Sequence, residues 1–516
     1  MYWVGIQHDR TWLWNLNVIM AVACAIGATA QTSPHPPKLN SADANATAIR
    51  ELNQRAAAHL SAGDAKGAID DYEKALRLDP ADAKLHYNLS LAFDKAGDLA
   101  HERRELEAAL KLDSRLALAE NRLGLLALHG GQAAEAEEHF QKALTIDPKL
   151  AEADNSLGVL YSQQGKTREA GARFHQAIDN DPNFAKAYVN LGLLLAQTGD
   201  FVAAEQELRT AIRVDRSYAD AYAALGMLQA KSGQRAQALE SFQKAVALEP
   251  RSAEAHLNLG IALADQFDRT AAMKEFSEAV RLDPNLASAH YNLGRFFYEV
   301  GKYEDAAREL GAAVRLQAQY PDALYFLAMT AKQQNQPERA TELFEKVVAL
   351  EPTNANAQYL LGQNLEHSGD LPGAIQHWKL AVQADPNHSQ ALFNLAKYLN
   401  KIHDPDAKQY QNRFDQLQKN QQISDRVAEL GNFALEAAKA QNWPQAFQQM
   451  KEAIELCGNC PESAHLHKNL ASFYGQTGNL SQAQQELRTV LQINPNDADA
   501  QSALAKLDGA QSSEAK

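Results

Sequence analysis

The stretch AEAHLNLGIALADQFDRTAAMKEFSEAVRLDPNL, residues 253–286, decides how the rest of the chain is read. Ala255 to Gln266 places Leu259, Ile261 and Leu263 on a helical pattern. Arg269 to Leu282 gives a second helix, with Ala272, Phe276 and Ala279 at i, i+4 and i+7. Gly260 inside the first helix costs ~1 kcal/mol against alanine. That is tolerable where a neighbouring helix passes too close for a side chain, with Ala272 doing the same in the second helix and Phe276 filling the seam. Asp283-Pro284 ends the pair, because a residue before proline avoids the helical region and proline cannot continue the hydrogen-bond ladder.

The same punctuation recurs outward in both directions. Prolines stand at 80, 148, 182, 250, 284, 352 and 386, every gap being 34 residues or twice that. Alanines at 136, 170, 204, 238, 272, 306, 340 and 374 keep the interval, as do the Leu-Gly pairs beginning at Leu123, Leu157, Leu191, Leu225, Leu259 and Leu293. Each helix pair has apolar surface that it cannot bury alone, so neighbours must stack.

The order Tyr or His (Tyr188, Tyr222, His256, His290), Leu-Gly, Ala, Phe, Ala, Pro resembles the tetratricopeptide repeat. The resemblance implies an all-α fold, a right-handed superhelical solenoid of stacked helix-turn-helix units. Ten regular units fit 49–388. A degenerate eleventh unit and connector fill 389–426, where Lys408 stands in place of the expected alanine. Two more units with a closing helix occupy 427–508, and 509–516 reads as a disordered tail. A slower period lies on top: Ser114, Arg216 and Ala318 replace the proline, and Leu106, Leu208 and Leu310 replace the aromatic, at intervals of 102. Duplication of a three-repeat block accounts for this, and a ligand touched at every third repeat is the alternative.

Residues 1–30 read as a signal peptide. The uncharged run Val18–Ala28 is followed by Ala28-Thr29-Ala30, a small-x-small cleavage pattern. An uncleaved membrane anchor and a lipoprotein site at Cys24 are rival readings, the first because Trp12, Leu13, Trp14 and Leu16 lengthen the apolar stretch. Residues 31–48, with Pro34, Pro36 and Pro37, read as a flexible linker. The chain is therefore expected to be exported, periplasmic or secreted. Its net charge of −14 argues against nucleic acid as a partner.

In the family the groove is lined mainly by the first helix of each unit. At the fifth position of successive first helices stand Tyr291, Tyr325, Tyr359 and Phe393. Such a row suits an extended or helical peptide, or else packs against the adjacent helix. Asn88, Asn190, Asn258, Asn292 and Asn394 share the sixth position, with Ala224, Phe326 and Leu360 interrupting. This row is similar to the asparagines lining the repeat domain of the O-linked N-acetylglucosamine transferase, which hold peptide backbone. Asparagines bonding within their own helix are the alternative. The transferase's catalytic domain would need far more chain than remains. A carboxylate clamp of the chaperone-binding kind is rejected, since Asn53 and Ala57 occupy the required places.

Gly165-Lys166-Thr167 lacks the upstream glycine of a phosphate loop, Leu160 standing there. No Gly-x-Ser-x-Gly or metalloprotease motif occurs, so no enzyme, cofactor or metal is expected. One loop breaks the period: Cys457-Gly458-Asn459-Cys460-Pro461, inside a stretch where Ala446 to Ala483 is 37 rather than 34. A local disulfide, two free thiols, a metal site with His465 and a redox dithiol at a helix start are the four readings. The expected function is a non-enzymatic scaffold for protein or peptide partners. An envelope glycan-associated binder, or a redox or metal protein centred on Cys457 and Cys460, are the alternatives.

Overall fold

The computed structural model describes residues 41–514, with side chains for 45–508. The segment expected to be a signal, 1–30, and the expected linker up to residue 40 lie outside the described residues. Among the described residues there are 26 helices, α1–α26 in chain order, and no strand. None of these helices is long and apolar enough to cross a membrane. The chain divides into two compact units, the first ending at Ala318 and the second beginning at Gln319.

The first unit stacks eight helix pairs, from α1 (Ser41–Ser61) to α16 (Tyr303–Leu316), each helix packing on the ones before and after it. The stretch 253–286 forms α13 (Ala253–Asp265) and α14 (Arg269–Leu282). The first helix starts two residues earlier than its apolar pattern because Ser252 caps it, its hydroxyl accepting from the Ala255 N–H at 3.2 Å. Asp268 caps the second through the Ala271 N–H at 3.1 Å. A Cβ at Gly260 would lie 2.7 Å from the ring of Phe276, which is fully buried. The glycine is therefore set by close packing, as its cost in a helix demanded.

The second helix of each pair is stopped by more than proline. The Asp283 N–H donates to the Ala279 carbonyl at 3.0 Å, while its carboxylate accepts the Asn285 N–H at 2.9 Å. The same carboxylate turn persists where proline is replaced: Asp113 accepts from Arg115 at 2.9 Å and Asp215 from Ser217 at 2.8 Å. Gln317-Ala318 has neither the aspartate nor the proline, and the first unit ends there.

The second unit begins with the regular pairs α17 (Pro321–Gln333) with α18 (Pro337–Leu350) and α19 (Ala355–His367) with α20 (Leu371–Ala384). It continues with α21 (Ser389–Lys401), α22 (Ala407–Lys439), α23 (Trp443–Cys457), α24 (Ser463–Gln476), α25 (Leu480–Ile493) and α26 (Ala498–Glu514). Four expectations change. Helix α1 opens at Ser41, so the last part of the 31–48 linker is helical. Helix α26 runs to Glu514, into the stretch 509–516 read as a disordered tail. Ala407 takes the buried alanine position that Lys408 vacates.

The fourth change is the boundary at 426/427, where no break exists. Helix α22 is a single 33-residue helix shared by two repeats. Tyr410, Phe414 and Leu417 on its first half pack against the core of Trp378, Leu392 and Leu395. Ile423, Val427 and Leu430 on its second half join Met450, Leu470 and Phe473. Between them Gln418 to Gln422 are exposed on every side, more than a full helical turn. The segment 418–426 contains no Pro or Gly, so nothing interrupts the helical ladder.

Candidate peptide-binding surface

The four fifth-position rings differ in how far they are buried. In the first unit Tyr291 on α15 (Ala287–Glu299) is 5% exposed, with the Arg295 guanidinium 5.8 Å from its ring centre. In the second unit Tyr325 is half-buried, edge-on to Phe344 at 5.9 Å. Tyr359 is half-buried against His388 at 4.9 Å, and burial raises its phenol pKa. Phe393 is 48% exposed, tilted against Phe414 at 5.5 Å. Tyr291 is thus a packing residue, Tyr325 and Tyr359 are half-buried, and Phe393 is the exposed member of the row.

A hollow of about 350 Å³ gathers three of the expected residues, Tyr359, Phe393 and Asn394, with Ser389, Gln390 and Phe414. Its floor is tied down by polar contacts. The Trp378 indole N–H donates to the Tyr359 carbonyl at 3.2 Å, and the Gln363 amide donates to the Tyr359 hydroxyl at 3.4 Å. Lys332 donates in turn to the Gln363 carbonyl oxygen, and burial lowers the Lys332 pKa. His388 caps α21, its Nδ1 accepting the Ala391 N–H at 3.2 Å. Burial holds its pKa below the usual histidine range, against the pull of Asp385. An accepting Nδ1 is by definition unprotonated.

The sixth-position asparagines divide by partner. Asn88 donates to Asn53 at 3.2 Å and Asn190 to Asn155 at 2.8 Å, each reaching back one repeat. Asn292 donates to the Ser288 carbonyl of its own helix at 2.8 Å. Asn258 is buried, its amide nitrogen without a hydrogen-bond partner. Only Asn394 lines the hollow. The row is therefore not one ladder: of these five, two bridge repeats, one bonds locally, one is buried with its amide nitrogen unpartnered and one lines the hollow.

Sequence reasoning missed a charged lining in the first unit. Arg122 pairs with Asp94 and, at 2.6 Å, with the fully buried Glu102. Burial raises the Glu102 pKa despite that arginine. At the second position of successive first helices stand Glu152, Lys186, Asp220 and Glu254, again 34 apart. Burial, helped by Arg122, pushes the Lys186 ammonium down to about 7, against Asp220 and Glu152. Burial raises Asp220 in spite of Tyr218 and Lys186. The 34-residue spacing was the available signal, but the aromatic and asparagine rows drew the reading to other positions.

Cys457 and Cys460 are joined by a disulfide, with Cα atoms 5.1 Å apart. Helix α24 opens at Ser463, so Cys460 does not sit at a helix start as the redox reading required. His465 is exposed and His467 is engaged by Glu486 at 2.6 Å. Among the described residues no three His, Cys, Asp or Glu side chains converge as a metal site.

Sequence patterns of the tetratricopeptide repeat match residues 57–97, 103–151, 155–222, 223–287, 297–363, 331–396 and 437–507. The chain belongs to the tetratricopeptide repeat family. The unmatched stretch between 396 and 437 holds most of α22, where two repeats share one helix. No curated protein matches the chain. Among solved structures it is similar to pilF of Pseudomonas aeruginosa (24% identity, TM-score 0.39, covering 41% of this chain and 97% of that one). MamA is similar at 24% identity and TM-score 0.30, covering 32% and 97%. YrrB, described as a TPR protein with an unusual peptide-binding site, has 26% identity and TM-score 0.29, covering 36% and 97%.

Proposed function

We propose that this protein is an exported, non-enzymatic scaffold that captures protein or peptide partners on the first-helix surface of its repeats. The observation that carries the reading is the hollow between α19, α21 and α22. There Phe393 offers an exposed ring beside Asn394, and Tyr359 and Phe414 wall the space. Rings supply contact area at low entropic cost, and the amide can read peptide backbone through both a donor and an acceptor. The export part rests on the signal-like segment 1–30 and accords with a disulfide, which persists in oxidising compartments.

The test is selection of a random peptide library on the full-length protein and on the double variant Tyr359→Ala/Phe393→Ala. Peptides enriched on the parent should lose at least tenfold in affinity for the variant. Enrichment that is equal on both proteins, or absent from both, removes the hollow as the binding site. Glycan binding is the runner-up; it calls for affinity to oligosaccharides that the same variant abolishes.

A further inference from the structure

The open ring at Phe393 has a structural cause that also specifies what would cover it. At a regular junction the second helix of one repeat ends, the chain turns, and the next first helix lies back over both helices of the preceding pair. Helix α21 does this to α19 and α20: the His388 ring lies tilted against Tyr359, and Leu392 and Leu395 join the core with Trp378. After α21 the pattern stops. Helix α22 continues straight on as the first helix of the following repeat, and its exposed turn at 418–422 separates the two cores. From Phe414 to Val427 is 13 residues, a rise of roughly 20 Å along the axis. The following repeat is carried that far along α22, and among the described residues no helix returns over α21. Phe393, equivalent by position to the half-buried Tyr359, is left 48% exposed.

The missing element is therefore a first-type helix, and the chain's own first helices show its chemistry. They present small and aliphatic side chains to the preceding pair, as Ala391, Leu392 and Leu395 do on α21. The open side of α21 adds charge. Lys397 and Lys401 follow Phe393 at i+4 and i+8, both exposed, Lys397 lying over the Tyr398 ring at 4.6 Å. Among the described residues no carboxylate is ion-paired with either of them; Lys397 donates to the Tyr398 hydroxyl at 3.4 Å, which in turn donates to Glu366. A helix with carboxylates beside its apolar stripe is complementary to this pair.

We propose that the face of α21 and α22 around Phe393, Asn394 and Phe414 receives an acidic amphipathic helix of a partner protein, seated where the next first helix of the stack would lie. This rests on the peptide-capture reading and narrows it: the partner segment is helical, and it completes a repeat instead of threading the surface as an extended strand. A helix satisfies its own backbone hydrogen bonds, so the contact is side chain against side chain, and Asn394 meets a polar side chain of the partner in place of its backbone.

The probe is a synthetic peptide with the sequence of residues 252–266, SAEAHLNLGIALADQ, a first helix of this chain carrying Glu254 and Asp265. Titrated into the full-length protein, it should bind and gain helical circular dichroism. Phe393→Asp should weaken it at least tenfold, as should proline at the peptide position of Leu259. Lys401→Glu changes an exposed side chain and should weaken it several-fold while leaving the melting temperature in place. Failure of the parent to bind, or indifference to both sets of substitutions, overturns the proposal. So does a dimer of the parent protein that Phe393→Asp converts to monomer, since the face would then belong to a second copy. If library-selected peptides bind extended and ignore Phe393→Asp, the helix inference fails while peptide capture stands. If no peptide of either kind binds, both fail.

Discussion

Gly260 and Gly311 are both helical glycines, yet opposite outcomes follow from their surroundings. A Cβ at Gly260 would press on the buried Phe276 ring at 2.7 Å, whereas at Gly311 it would meet only the end of Arg315 at 3.5 Å. Gly260→Ala should therefore destabilise by ~1–3 kcal/mol through overpacking. Gly311→Ala should stabilise by ~0.5–1 kcal/mol through helix propensity. Thermal midpoints moving in opposite directions check this pair. Lys186 gives a second test at this scale. With its pKa near 7, about half of its amine is neutral at pH 7, against well under ~1% for an ordinary lysine. An amine-acylating reagent applied briefly at pH 7 should modify Lys186 ahead of the exposed lysines, as read by peptide mass mapping. Labelling spread evenly over the lysines would show that the groove does not perturb it.

At the level of the helix, His388 ties the start of α21 to the hollow. Its Nδ1 accepts the Ala391 N–H while its ring lies against Tyr359. Its pKa is lowered in the fold, so the stabilisation it gives is complete above the unfolded value near 6.5 and is lost as pH falls through the folded value. Exchange of the Ala391 and Leu392 amides should quicken more than that of the neighbouring α20 amides on going from pH 7 to pH 5, after correction for intrinsic rates. His388→Asn keeps a capping oxygen without the titration and should remove the difference. Most helices of this kind were legible. The pattern predicts 255–266 and 269–282, against observed helices of 253–265 and 269–282, because apolar spacing and Asp-Pro stops are local signals. Helix α22 was not legible. Its two halves each carry the right apolar period, and whether a helix breaks between them depends on residues 418–426, which have no Pro or Gly to break it yet carry Asn420, Ser424 and Asp425, residue types that can equally cap a new helix. The ring row was half legible for a related reason: spacing places Tyr291 and Phe393 at one repeat position, but not what covers each. Tyr291 is 5% exposed and Phe393 48%, a difference set by tertiary packing that spacing does not encode.

The whole molecule consists of repeats that each rely on their neighbours. Ten regular units leave no single centre, and the places that differ are those where the repeat is broken: Gln317-Ala318, the shared helix α22, and the disulfide loop after α23. Two breaks fall in the second unit, and the hollow lies beside one of them. Partner capture is thus ascribed to an interruption of the solenoid. The measurement that tests this most directly is amide hydrogen exchange of the full-length protein with and without a saturating library-selected peptide. Bound peptide should slow exchange in α19, α21 and the first half of α22, with α18 unchanged. Protection confined to α18, or spread evenly over the regular repeats of the first unit, would contradict it.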